Sequence, residues 1–312
     1  MKRALLVLLG TLLTATAAVT SAGQTEAPLI VAYIADAGEL VPVGRFDGKT
    51  WRNTWPEPIE LDAPLPVREL REIPLAWLGQ PVPLTWTTWP RPTGSSQTVR
   101  VTGVDRDGAC VQAITLTTSP RNMPAEGLAF NRPTPVTAII ESSPESDRLR
   151  RDVVPHFKDA LRPPGTPASG AERRETGQQV LALASADDEF AAEHVDLHTL
   201  LQDPVAHVFF IEAWRQYPGI PSDTHDDALS YRGWFRREAG GGGRLIPIAA
   251  SLTTFSTAEG KLPRYTPIGI LRLRTGAIWV MAEWGIESQT IVLFEVSGKG
   301  VRTLTSADIS GC

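Results

Sequence analysis

The chain has 312 residues, 42% of them hydrophobic and 21% charged, with a net charge of −5. That is enough for two ordinary domains or one large one, and too apolar for a disordered chain. The acidic balance excludes a basic nucleic-acid binder and disfavours anionic lipid as a partner.

The N-terminus opens on Lys2 and Arg3, then runs apolar from Ala4 to Val19 and ends in Thr20-Ser21-Ala22. A basic start, a short apolar core and a small-residue cut site predict a secretory signal peptide over residues 1–22. The core is on the short side of the ~20 apolar residues that a bilayer span needs. No later segment is apolar for long enough to span either. The mature chain is therefore expected to be exported, periplasmic or secreted, without a membrane span. Losing Lys2 and Arg3 takes the charge from −5 to about −7.

Residues 23–140 are expected to form an N-terminal β domain rich in Pro and Trp. Leu29–Ile34 is a run of strand formers. Leu40–Phe46 and Lys49–Trp55 flank Asp47-Gly48, and an Asp-Gly pair between such runs predicts a hairpin. Val99–Val104 and Ala109–Thr117 predict a second one. Between them recur Pro56/Pro58, Pro64/Pro66, Pro81/Pro83 and Pro90/Pro92. Proline has no N–H and blocks helix interiors, so a sizeable helix is excluded there.

Residues 141–170 read as a linker with a short helix. Leu149, Val153, Phe157 and Leu161 recur every four residues, with Pro155 among them. Residues 171–312 read as a C-terminal antiparallel β domain. Leu245–Thr254, Thr266–Leu273, Ala277–Trp284, Thr290–Val296 and Val301–Thr305 predict strands separated by Gly-containing turns. Val205–Ile211 and Leu229–Phe235 add strands beside them. The fold class is mainly β, with two β-rich domains and one or two short helices. The C-terminal domain is expected to be a meander closing as a barrel or sandwich.

The chain carries no G-x-S-x-G, H-E-x-x-H, Walker A, G-x-G-x-x-G or C-x-x-C motif. Nine Trp stand against four Tyr. Trp51, Trp55, Trp86 and Trp89 crowd the Pro-rich part, where flat aromatics on a β surface could stack on sugars or on a peptide. Core filling is the plainer alternative. His194, Asp196 and His198 alternate with apolar residues, so a strand would put both imidazoles and the carboxylate on one face. With His225 they could hold a divalent metal such as zinc; a solvated face or an ordinary short helix explains them as well. Glu283 and Glu287 flank Trp284 and Gly285, a carboxylate pair that spacing alone does not make catalytic. Cys110 and Cys312, the two cysteines of an exported chain, are expected to pair as a disulfide.

The expectation for function is a binding or interaction role in the cell envelope or extracellular space. The ligand would be a glycan, peptide or protein, with no cofactor. The alternatives are a metal-dependent hydrolase built on the His/Asp cluster and a purely structural envelope protein.

Overall fold

The computed structural model describes residues 27–35, 39–53, 69–90, 96–105, 115–120, 126–141, 147–161, 180–184, 194–221, 226–237, 244–258, 264–285 and 288–311. The predicted signal peptide, Trp55, Cys110, His225, Glu287 and Cys312 lie outside the described residues.

The fold is mainly β, as expected. Its first unit is a closed six-strand barrel. The barrel contains β1 (Leu29–Ile34), β2 (Leu40–Phe46), β4 (Thr85–Pro90), β5 (Gln97–Asp105), β6 (Thr115–Ser119) and β7 (Gly127–Phe130), and β3 (Trp51–Arg52) hangs on its edge beside β2. Pairing of β1 with both β2 and β7 closes it. Closure explains why Leu29–Ile34 is buried along its whole length. Ile30, Ala32 and Ile34 point into the barrel, where Trp86, Val99, Val101 and Leu116 also lie. Leu29, Val31 and Tyr33 point outward into a second core. A strand's period of two puts alternate side chains on opposite faces, so both faces need apolar residues when both are covered. The helix exclusion holds in coarse form: the described part of the Pro-rich stretch carries only a 3-10 turn, Leu70–Glu72, and the one-turn α1 (Leu75–Leu78).

The second core lies between the barrel and a middle sheet. That sheet runs in the order β17-β16-β15-β14-β8, from β8 (Val136–Thr137), β14 (Arg264–Leu273), β15 (Gly276–Trp284), β16 (Ser288–Ser297) and β17 (Gly300–Gly311). Its Ile278, Val280, Ile291 and Leu293 face the barrel. Its Trp279, Met281, Val292 and Phe294 face an outer sheet. The outer sheet orders as β13-β12-β11-β10-β9, from β9 (Ile140–Glu141), β10 (Asp196–Asp203), β11 (Val208–Gln216), β12 (Ala228–Arg237) and β13 (Leu245–Phe255). α2 (Asp147–Leu161) covers its far face through Leu149, Val153 and Phe157. The predicted four-residue spacing is thus a real amphipathic face, and the helix belongs to the outer sheet's core.

Two strand expectations are corrected. β13 leaves the meander and pairs with β12, while β14 pairs with β15 and β8, so two facing sheets replace one. Val205–His207 is a turn and not the start of a strand. The Asp203 carboxylate accepts the N–H groups of Val205 (2.8 Å) and Ala206 (3.1 Å), which bends the chain before β11. The same carboxylate joins the two sheets. Arg272, at the end of β14, binds it through both Nη atoms and donates Nε–H to Thr137 Oγ1 at 3.1 Å. Burial works to raise the Asp203 carboxyl, but Arg272 and the two N–H groups outweigh it and hold it below its ordinary value.

Candidate functional site

Three of the tryptophans singled out from sequence pack into or against a core, one fully buried and two partly. Trp86 is fully buried inside the barrel, and its indole N–H donates to the Pro83 carbonyl at 2.7 Å. Trp89 and Trp51 are partly buried and pack against the core between the barrel and the middle sheet. Trp51 stacks on Phe46 with centroids 5.3 Å apart. Short strands with few residues per face gain most buried area from large aromatics, which accounts for the packing of these rings. Trp86, in particular, has no face left for a ligand.

The stacking of Trp51 on Phe46 is what positions the site. Phe46 and Trp51 are partners across the β2–β3 ladder, and so are Arg45 and Arg52. Neighbouring pairs lie on opposite faces. One face of the hairpin is therefore an aromatic pair held against the middle sheet, and the other presents two arginines side by side. Directly opposed side chains have Cβ atoms ~4.5–5.5 Å apart, and like charges there destabilise the ladder. The turn between them is rigid. Asp47 accepts N–H groups from Lys49 (2.9 Å) and Thr50 (2.8 Å) and the Thr50 hydroxyl (2.9 Å), and Gly48 takes φ +95°. Those bonds hold the Asp47 carboxyl down at about 2, led by the Thr50 N–H.

Both arginines line an open cavity of about 620 Å³, with Ala27, Pro28, Asp47, Leu75, Gly79, Gln80 and Pro81 as its other walls. Arg52 reaches Asp47 at 3.8 Å, an exposed contact of little strength. Arg45 is half-buried, and among the described residues no acid pairs with it. Its guanidinium lies where a Cβ on Gly79 would stand, 2.6 Å from Nη1, and Gly79 itself has φ +72°. Among the described residues Asp47 is the one carboxylate lining the cavity, and its oxygens are taken up by the turn, so the guanidinium forks have little negative charge beside them. Sequence reasoning found the hairpin but missed the arginines. Their signal was present: Arg45-Phe46 and Trp51-Arg52 are mirror images about the turn.

The His/Asp cluster takes another form. β10 is a strand, as one expectation had it, with Asp196 and His198 exposed and Leu197 buried between them. His194 lies exposed just before it. His198 stacks on Trp214 with centroids 3.5 Å apart. The Trp214 ring over it takes the imidazole partly out of water and pushes it below the ordinary value, with Asp196 opposing. Among the described residues no three His, Cys, Asp or Glu side chains are grouped to hold a metal ion.

Beside His198 lies a polar patch that the sequence reading also missed. Glu212 is 1% exposed, stands opposite Arg232 on β12, and accepts the Thr199 hydroxyl at 3.2 Å on Oε2. Its Oε1, the Trp214 Nε1 and the Ser230 Oγ are buried without a hydrogen-bond partner. Burial raises the Glu212 carboxyl, and Arg232 offsets only part of that. Arg232 lies 5.3 Å over the ring of Tyr265 on the facing sheet. Burial, then Glu283 beside it, pushes the Tyr265 hydroxyl up to about 12. A lone acid within Val208-Phe209-Phe210-Ile211-Glu212-Ala213-Trp214 was the available sequence signal.

Compared with known proteins, the chain matches no family model, no curated protein and no solved structure. No helix among the described residues is long and apolar enough to cross a membrane.

Proposed function

We propose that this is an exported binding or interaction protein of the cell envelope or extracellular space, and that the Arg45/Arg52 pair receives an anionic group of its ligand. One observation carries the reading: two arginines directly opposed on a hairpin line an open cavity, and Arg45 has no acid partner among the described residues. An arrangement that costs stability in the free protein is accounted for if a ligand supplies the missing negative charge. Guanidinium suits carboxylate and phosphate because its planar fork donates two parallel bonds. Titration calorimetry of the mature protein with acetate, phosphate and oligo-glutamate tests this. Saturable binding should appear for at least one anion, weaken with salt, and disappear in an Arg45→Gln, Arg52→Gln double variant. Equal heats from the double variant and the wild type would sink the proposal.

A further inference from the structure

We infer that the ligand of this cavity is a small amphiphilic carboxylate, an acid group joined directly to a short aliphatic part. The inference rests on the anion-binding reading above and adds the ligand's second half. It starts from Leu75, which is 61% exposed while Leu78, the last residue of the same one-turn helix, is fully buried in the barrel. Leu75 lines the cavity together with Pro28 and Pro81, so apolar side chains share its walls with the arginines.

The two walls are tied by α1 itself. The Gly79 N–H donates to the Leu75 carbonyl at 2.7 Å, and Gly79 abuts the Arg45 guanidinium. The Arg45 guanidinium and Leu75 thus lie at the two ends of one helical turn. The cavity, about 620 Å³, lies within the ~300–1,000 Å³ of small-molecule sites. Its wall is fixed before any ligand arrives. Gln80 Nε2 (3.2 Å) and Asn131 Nδ2 (2.9 Å) both donate to the Pro28 carbonyl, and Asn131 Oδ1 accepts the Ile30 N–H at 2.8 Å. A preformed wall loses little freedom on binding, so apolar contact is available to the ligand's tail. An amine of the same shape would meet two arginines with a third positive charge.

The test is a chain-length series by calorimetry on the mature protein: acetate, butanoate, hexanoate and hexylamine, with a peptide ending in free leucine as comparison. Each buried CH₂ strengthens binding roughly four-fold. Hexanoate should bind at least about tenfold more tightly than acetate, given partial burial of its four extra carbons, and hexylamine should not bind. Leu75→Ser, at an exposed position that folding does not depend on, should shrink the hexanoate-to-acetate ratio to about two or less. Equal binding of acetate and hexanoate, or an undiminished ratio in Leu75→Ser, overturns the apolar half and leaves the anion reading standing. Binding of none of acetate, phosphate, oligo-glutamate and hexanoate overturns both. A free-leucine peptide that binds more tightly than hexanoate, and loses this when amidated, replaces the small acid with a chain terminus and also overturns the inference.

Discussion

Glu212 and Arg232 stand opposite one another on β11 and β12, and Arg45 and Arg52 do the same on β2 and β3. The first pair is of opposite sign and lies between two sheets, where water cannot reach the carboxyl. The second is of like sign and lines a cavity open to solvent. In the low dielectric between sheets an unmatched charge is too costly to keep, so a basic partner and a hydroxyl accompany the acid. At the cavity, solvent screens the repulsion enough for two like charges to persist. The buried acids between the sheets, Glu212 and Asp203, each have a basic partner within the chain, although Glu212 Oε1 has no hydrogen bond. The arginines at the cavity are left for something else to match.

The sharpest way to test the first half of this comparison is to unmatch a buried charge. Arg272→Met leaves the Asp203 carboxylate buried with only two N–H groups and no cation. Breaking a buried pair by removing one partner costs about 3–5 kcal/mol, and the lower end is expected because Arg272 is partly exposed. Urea denaturation measures it. A loss under about 1 kcal/mol would mean that solvent reaches the corner and that the pair is not needed to join the sheets.

An apolar yardstick in the same layers comes next. Leu293 is fully buried and faces the barrel. Leu293→Ala should cost about 2–5 kcal/mol through lost transfer energy and the cavity left behind. If it costs as much as Arg272→Met, the corner pair and the apolar interface hold the layers together to a similar degree.

Much of this layering was legible in the sequence, and the reasons are physical. Alternation and Gly turns located β14 to β17 because pairing there is local and each strand follows a tight turn. The allotment of β13 to the other sheet was not legible, because which neighbour a strand chooses is a long-range matter. The tryptophans misled for a related reason. Composition gives their number, but only closure of the barrel decides that Trp86 faces inward. Arg45 and Arg52 were within reach, since the hairpin register follows from Asp47-Gly48, but charge on a strand looks like ordinary solvated surface until a cavity forms beside it.

The pH dependence separates matched from incompletely matched acids. Glu212 is raised in the folded protein. Its contribution is fully present below the unfolded value, about 4.5, and is lost as pH rises through the folded one. Asp203 is lowered by Arg272 and the two N–H groups, so its contribution is present above about 3.8 and is lost as pH falls. Glu212→Gln removes the first effect only. Its stability should equal that of the wild type at pH 4 and exceed it increasingly as pH rises. The gap widens by up to about 1.4 kcal/mol per pH unit until Glu212 ionises in the folded state. Thermal melts from pH 4 to 8 would show it. Parallel curves would mean that Arg232 compensates Glu212 fully.

The smallest effect is the most informative about the cavity, because its sign is reversed. Arg45→Gln keeps the first carbons of the side chain and a donor, and removes one of two opposed charges. Relieving a like-charge cross-strand pair should stabilise the ligand-free protein by about 0.2–1 kcal/mol, and the gain should shrink as salt rises. Arg52→Gln should gain less, since Arg52 also gives up its 3.8 Å contact with Asp47. Most substitutions destabilise, by about 1 kcal/mol on average, so an increase on removing a half-buried arginine is a specific outcome. A residue whose removal stabilises the fold is one that the fold does not require. If Arg45→Gln instead lowers stability at every salt concentration, Arg45 supports Gly79 and the α1 turn, and the cavity has lost its claim to an anion.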